Sequence, residues 1–177
     1  AAPPKLEKKF LGNHEGKIRR KALWEYKNNY SEAERDSMTD LYDAAIAYAD
    51  DALGILFTEL RQMDSYENTT IILSSDHGEA FGEHGFYLHA HHFWEEVIRV
   101  PLIIKGRKFK KGVDSRLTQS IDVARTIVEL AGASSVGMPG NSLLEPPAKN
   151  PVVISEYNEF GIRRQAILDG KYKVIFF

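Results

Sequence analysis

Five of the six histidines fall between positions 77 and 92, at His77, His84, His89, His91 and His92. Asp76, Glu79 and Glu83 are interleaved with them, and Glu95 and Glu96 follow on the right flank. An adjacent Asp-His pair, here Asp76-His77, can give one carboxylate oxygen and one imidazole nitrogen to a single divalent cation. Such mixed ligation suits zinc, manganese or a harder ion, and two ligands do not decide among them. At least one or two further ligands must come from elsewhere. Gly78 would let the chain turn away sharply. An isolated Asp-His-Gly is more often a turn than a metal site. What reverses that reading is the apolar run before it and the four histidines after it. Glu79, Glu83 and His84 fit loop-holding hydrogen bonds as well as a direct role. Glu95 and Glu96 belong with the segment that follows, Glu96 facing solvent.

The elements around this loop determine whether it can be a site. Thr69 to Ser75 is a short β-branched apolar run, the pattern of a buried strand. A Gly- and His-rich loop from Asp76 to His92 would therefore begin where that strand ends, and α/β sheets place ligands beyond the carboxyl ends of their strands. Before it, Ser31 and Glu34 form a capping box that should open a long helix reaching about Arg61. Leu41, Ala45, Tyr48, Ala52, Ile55, Leu56 and Leu60 share one face of that helix and are expected in the core. Residues 1 to about 30 read as a loop and a short helix, and Asn68 marks a turn.

After the loop, Phe93 to Arg99 reads as a helical turn. Leu102-Ile103-Ile104 reads as a second strand with Pro101 at its start. Gln119 to Ala131 is an amphipathic helix, with Ile121, Ala124, Ile127, Val128 and Leu130 expected inside and Gly132 at its stop. Residues 133 to 150 form a loop, Val152 to Ser155 a third strand. Gln165 to Leu168, Asp169-Gly170 and Lys171 to Phe177 form a hairpin with a tight turn. This order indicates an α/β layer fold.

Composition narrows the functional classes. Hydrophobic residues make up 43% and charged residues 27% of the 177 positions, as in ordinary globular domains. The 23 basic and 25 acidic residues give a net charge of −2, which argues against a nucleic-acid partner. The runs Lys17 to Lys21 and Arg107 to Lys111 read as solvated surface. With no cysteine there is no disulfide, no thiolate zinc site and no cysteine nucleophile in this chain. No apolar run approaches the roughly 20 residues of a membrane-spanning helix. The first residues lack the plan of a signal peptide, which leaves the compartment open. The two Asn-x-Ser/Thr sequons, at Asn29 and Asn68, read as chance.

The run SSDHGEAFGEHGFYLHAHHFWEEVIRVPLIIKG is similar to the later half of the sulfatase family, within the alkaline phosphatase superfamily. Members carry a strand, S-D-H-G-E or S-D-N-G-E, G-x-H-G, a Lys or His, then Y-E-E-x-x-x-V-P-L-I; Trp94 stands in the tyrosine position. The helix segment LYDAAIAYADDALGILFTEL, the stretch IDVARTIVELAG with GNSLL, and Ser155-Glu156 with ILDGKYKVI also resemble family segments in the same order. The family's Asp-x-x-Pro-Thr appears as Asp122 to Thr126 without the proline. Together these cover roughly residues 35 to 177.

The resemblance implies a partial alkaline-phosphatase-like sandwich, a mixed and mainly parallel sheet flanked by helices. Residues 1–145 would be the later part of the catalytic domain. Residues 146–177 would begin a small antiparallel C-terminal subdomain. It implies a metal-dependent sulfuric ester hydrolase with Asp76 and His77 as metal ligands. His89 would face the anionic group of a sulfate or phosphate ester, and His91, Glu79 and His84 would support these residues. Calcium is the first ion implied, with zinc or manganese as alternatives. The family's formylglycine nucleophile, in a C/S-x-P-x-R context, is absent from this chain, as are the early acidic ligands. The N-terminal half of the enzyme would supply them, and the isolated chain would be inactive. The other readings are a phosphodiester or phosphonate hydrolase, or a phosphoethanolamine-type transferase, of the same superfamily, and a non-catalytic fragment.

Overall fold

The computed structural model describes residues 1–12, 30–89, 92–159 and 162–176. They form two compact units, Ala1–Thr69 with Glu79–Leu88, and Thr70–Gly78 with His89–Phe177.

In the first unit, helix α1 spans Pro4–Leu11, with a proline in its first turn and Lys8 and Lys9 in its last. Both placements suit a helix: proline lacks an N–H that would be orphaned there, and cations favour the carboxyl end. The rest of the segment expected as a loop and a short helix, residues 13–29, lies outside the described residues. Helix α2 spans Glu32–Arg61 and opens on the capping box read from the sequence. The Ser31 N–H donates to Glu34 Oε2 at 2.7 Å and the Glu34 N–H to Ser31 Oγ at 3.3 Å.

The covered face of α2 differs from the expected stripe. Ser37, Met38 and Ala44 are buried, and Leu41, Ala45 and Leu60 half-buried. Tyr48, Ala52, Ile55 and Leu56 are exposed, Ile55 by 69%. The short strands β2 (Ala80–Phe81) and β3 (Tyr87–Leu88) pair antiparallel beside it. Tyr42 meets Phe81 edge-on with ring centroids 5.2 Å apart.

In the second unit, β1 (Ile71–Ser74) pairs antiparallel with β4 (Leu102–Lys105) in the register Ser74↔Leu102. Every strand pair among the described residues is antiparallel, where a mainly parallel sheet was expected. The register gives the reason. The chain leaves β1 at its carboxyl end and enters β4 at that same end, and no helix among the described residues of the path carries it back to the amino end, as a parallel pair requires. Between them lies α3 (Glu95–Ile98), a single turn. Gly106 allows a close approach, since an added Cβ there would stand 2.8 Å from Thr70 Oγ1.

Helix α4 spans Ser120–Leu130, and Gly132, at φ 73°, follows it as expected. Its covered face is again different. Asp122 and Thr126 are buried, while Ile121, Ala124 and Ile127 are exposed. The polar side holds the 133–145 loop by hydrogen bonds. Asp122 Oδ1 accepts from Asn141 N at 2.6 Å, and Thr126 Oγ1 accepts from Leu143 N at 2.8 Å.

The last sheet has the order β5-β6-β7, with β5 Val153–Glu159, β6 Ile162–Leu168 and β7 Lys173–Phe176. β5 and β6 extend further than the sequence suggested. The β6–β7 connection takes four residues, 169–172, rather than a tight two-residue turn. Asp169 Oδ1 accepts the N–H groups of Lys171 and Tyr172 at 3.0 and 2.8 Å and so shapes the wider turn. The register places Val153, Leu168 and Lys173 on the same face as Ser155, Ala166 and Ile175. Ala166 has no exposed surface, which marks that face as the inner one.

Candidate functional site

The end of β1 is fixed by its serines. Ser74 Oγ donates to Pro101 O at 2.9 Å, holding the exit of β1 to the entry of β4. Ser75 Oγ donates to His77 O at 2.7 Å, folding the next turn back on itself. The His77 N–H donates to Asp76 Oδ1 at 3.0 Å. That bond is the main reason the Asp76 carboxyl lies below its ordinary value, aided by the His77 ring and Ser75 Oγ. Asp76 is therefore a carboxylate at neutral pH, and its side chain is 86% exposed.

His77 Nδ1 lies 2.8 Å from Gly78 O. A carbonyl oxygen only accepts, so Nδ1 carries the proton and Nε2 keeps its lone pair in the neutral ring. Nε2 stands 3.6 Å from Asp76 Oδ2. Two electron-rich atoms that close are favourable with a cation to share or a proton on the ring. Bonds of about 2.0–2.6 Å let both reach one divalent ion. A carboxylate oxygen with an imidazole nitrogen is a donor set that suits zinc or manganese better than calcium, the first ion implied by the resemblance. Among the described residues no three His, Cys, Asp or Glu side chains converge where they could hold a metal ion.

The next residue is held by α3. The Gly78 N–H donates to Val97 O at 2.7 Å. A Cβ on Gly78 would stand 2.0 Å from Glu96 O. The glycine is needed for this close approach, and its φ is not positive. The sequence reading as a turn residue missed that reason.

His89 completes what the structure brings together. Its ring stacks on His77 with centroids 3.9 Å apart and planes at 23°. Leu88 just before it has φ 67°, an uncommon conformation for a residue with a side chain, and redirects the chain into His89. His89 is exposed. Glu79 is half-buried and His84 exposed at φ 53°; both belong to the first unit, whereas Asp76 and His77 belong to the second. Glu83 has the loop-holding role, accepting from Phe81 N at 2.6 Å. His91 lies outside the described residues. Glu96, expected to face solvent, has Oε1 buried, because its helix turn packs against Gly78; Glu95 is the exposed one.

One residue near this site was absent from the sequence reading. Lys173 Nζ donates to Phe93 O at 2.8 Å and to Glu95 Oε1 at 2.6 Å. The available signal was the two-residue alternation of the last strand, which puts Lys173 on the side of Ile175.

A family model described as Sulfatase matches residues 9–133. Choline-sulfatase of Rhizobium meliloti (strain 1021) is 37% identical over 93 residues, 52% of this chain and 18% of that protein. The multifunctional alkaline phosphatase superfamily protein PehA of Trinickia caryophylli is 37% identical over 117 residues, 64% of this chain and 23% of that protein. The chain thus spans about a fifth of the length of these relatives. Among solved structures, BT4656 in complex with its substrate D-glucosamine-2-N,6-O-disulfate aligns with a TM-score of 0.71 at 27% identity, covering 82% of this chain and 33% of that one. The phosphonate monoester hydrolase of Silicibacter pomeroyi aligns over 100% of this chain and 41% of its own, with a TM-score of 0.77 at 20% identity, a likeness of fold. The architecture is accordingly alkaline-phosphatase-like, and this chain belongs to the sulfatase family.

Proposed function

We propose that this chain supplies part of the active site of a metal-dependent sulfuric ester hydrolase. The observation that carries the reading is the stack of His89 on His77, with His77 Nε2 facing the Asp76 carboxylate at the end of β1. Asp76 and His77 hold one side of a divalent ion. When bound, the ion supplies Lewis-acid stabilisation of the ester and of an activated nucleophile. His89 donates a hydrogen bond to the anionic oxygens of the ester, where negative charge is stabilised, or a proton to the leaving oxygen. Calcium is the ion implied by the family, whereas the His77 nitrogen is better matched to zinc or manganese. No cysteine is present and no Ser or Thr precedes x-Pro-x-Arg, so the nucleophile and the remaining ligands come from polypeptide beyond these 177 residues.

The test is turnover of an aryl sulfate by the whole protein containing this chain. Asp76→Ala should lower kcat/KM by at least about 10²-fold, and His89→Ala by about 10²–10⁴-fold. Undiminished activity in Asp76→Ala overturns the reading.

The nitrogen donor at His77 and the likeness of fold to phosphonate monoester hydrolase favour a second reading, hydrolysis of phosphate diesters or phosphonate monoesters. Aryl sulfate, bis-aryl phosphate and phenylphosphonate esters compared side by side separate the two. A kcat/KM for either phosphorus ester above that for the sulfate establishes the second.

A further inference from the structure

We propose that Lys173 is a positioning residue for the Asp76–His77 pair, acting through α3. The inference rests on the proposed function only for its effect on chemistry; the tether itself is independent of it.

The starting point is an unusual location for a lysine. The register of the β5-β6-β7 sheet puts Lys173 on the inner face, in the row next to fully buried Ala166. Its side chain is only 19% exposed. Lysine is rarely buried without partners, because removing an ammonium from water is costly unless its donors are satisfied. Here the satisfying groups are specific, the Phe93 carbonyl and the Glu95 carboxylate. These flank the first residues of α3, in a segment where Phe93 is itself buried.

A helix of four residues cannot hold its own orientation, since nucleating one turn in isolation is unfavourable. The orientation of α3 is set by what holds its two ends. Lys173 holds the amino end. At the carboxyl end, Val97 O accepts the Gly78 N–H at 2.7 Å, and the Glu96 carbonyl oxygen lies where a Cβ on Gly78 would stand. Gly78 O in turn accepts a hydrogen bond from His77 Nδ1 and so turns His77 Nε2 toward Asp76. The chain of contacts runs from the Lys173 ammonium through α3 and Gly78 to His77, each link a hydrogen bond or a backbone contact. Releasing the amino end of α3 should loosen the backbone on which the imidazole is aimed.

The variants are Lys173→Met, which keeps the stem and loses the ammonium, Lys173→Arg, which keeps charge and donors, and Glu95→Gln, which leaves the sheet untouched. The first readout is hydrogen exchange of the Gly78 amide in the whole protein, with the Ile72 and Ala166 amides as controls for the strands. Lys173→Met should speed Gly78 exchange about tenfold, as expected on loss of a charge-assisted hydrogen bond, with the controls unchanged. Lys173→Arg should return it to within about threefold of the parent, and Glu95→Gln should speed it by an intermediate factor. Gly78 exchange that stays within about twofold of the parent in Lys173→Met overturns the proposal. If Lys173→Met loosens the whole sheet, so that Ala166 also exchanges faster, Glu95→Gln decides: faster Gly78 exchange supports the tether and unchanged exchange overturns it. The second readout is ester hydrolysis against metal concentration. Lys173→Met should raise the half-saturating concentration of zinc or manganese about tenfold, with rescue by Lys173→Arg. A response at Gly78 in a protein that hydrolyses no sulfate or phosphorus ester would leave the tether standing and remove the proposed function. A silent Gly78 in an active enzyme would do the reverse.

Discussion

Asp76, His77 and Gly78 are consecutive, yet each is held by a different kind of contact. Asp76 answers to the His77 amide, the His77 ring to the Gly78 carbonyl, and Gly78 to a carbonyl in α3. Gly78→Ala places a methyl 2.0 Å from a backbone oxygen that cannot swing aside. The expected loss is about 1–3 kcal/mol, read as a lower denaturation midpoint at unchanged m-value. His77→Asn exchanges the nitrogen donor for an amide oxygen and should shift metal preference from zinc or manganese toward calcium, measured by reconstituting the stripped protein with each ion. The residues proposed to do chemistry, Asp76, His77 and His89, could be picked out by residue type and spacing, and the structure stacks two of them, His77 and His89. Lys173 could not, because its partner Glu95 is 78 positions away and nothing local distinguishes it from the other lysines. Gly78 was legible as a glycine that matters but not for its reason, since a tertiary approach leaves no trace in neighbouring residues.

At the scale of elements, helix spans were readable and covered faces were not. Periodicity shows which residues share a side; it does not show which side another segment will lie against. In α4 the polar side is the covered one, and Thr126, with no exposed surface, accepts from Leu143 N and donates to Asp122 O at 2.6 Å. Thr126→Val keeps the shape and removes both bonds, leaving the part-buried Leu143 N–H without its acceptor; the expected cost is about 1–3 kcal/mol in denaturant titration. The same helix carries an acid-sensitive group. Ser142, Ser135 and Arg125 hold the Glu129 carboxyl down to about 2 from its ordinary 4.5. A depressed carboxyl adds stability that is present above the unfolded value and is lost as pH falls through the folded one. Melting temperature should therefore fall between about pH 4.5 and 2, and the fall should be shallower in Glu129→Gln. The Asp-x-x-x-Thr spacing of Asp122 and Thr126 was noticed as a family trait; its role as a clasp on the following loop needed the structure.

For the molecule as a whole, the α/β class and the order of elements followed from the sequence, while strand direction did not. Direction depends on which end of β1 the chain returns to, and that is set by the long excursion between β1 and β4 rather than by either strand. Large apolar side chains remain open to solvent in both units, Ile46, Ile55 and Leu56 on α2 and Ile103 on β4 and Ile127 on α4. Large apolar side chains left in solvent promote association. The 177-residue polypeptide by itself should associate with rising concentration in sedimentation velocity, and Ile55→Glu or Ile103→Glu should shift it toward monomer. No helix among the described residues is long and apolar enough to cross a membrane.

The hydrogen bond from His77 to the carbonyl of the very next residue has a consequence in time. A ring whose proton is placed by its own neighbour can take its working tautomer as soon as that short turn forms. It need not wait for distant parts of the chain to arrive. The imidazole would then be ready early in folding, and later events such as the docking of α3 would fix where it points rather than which nitrogen it offers.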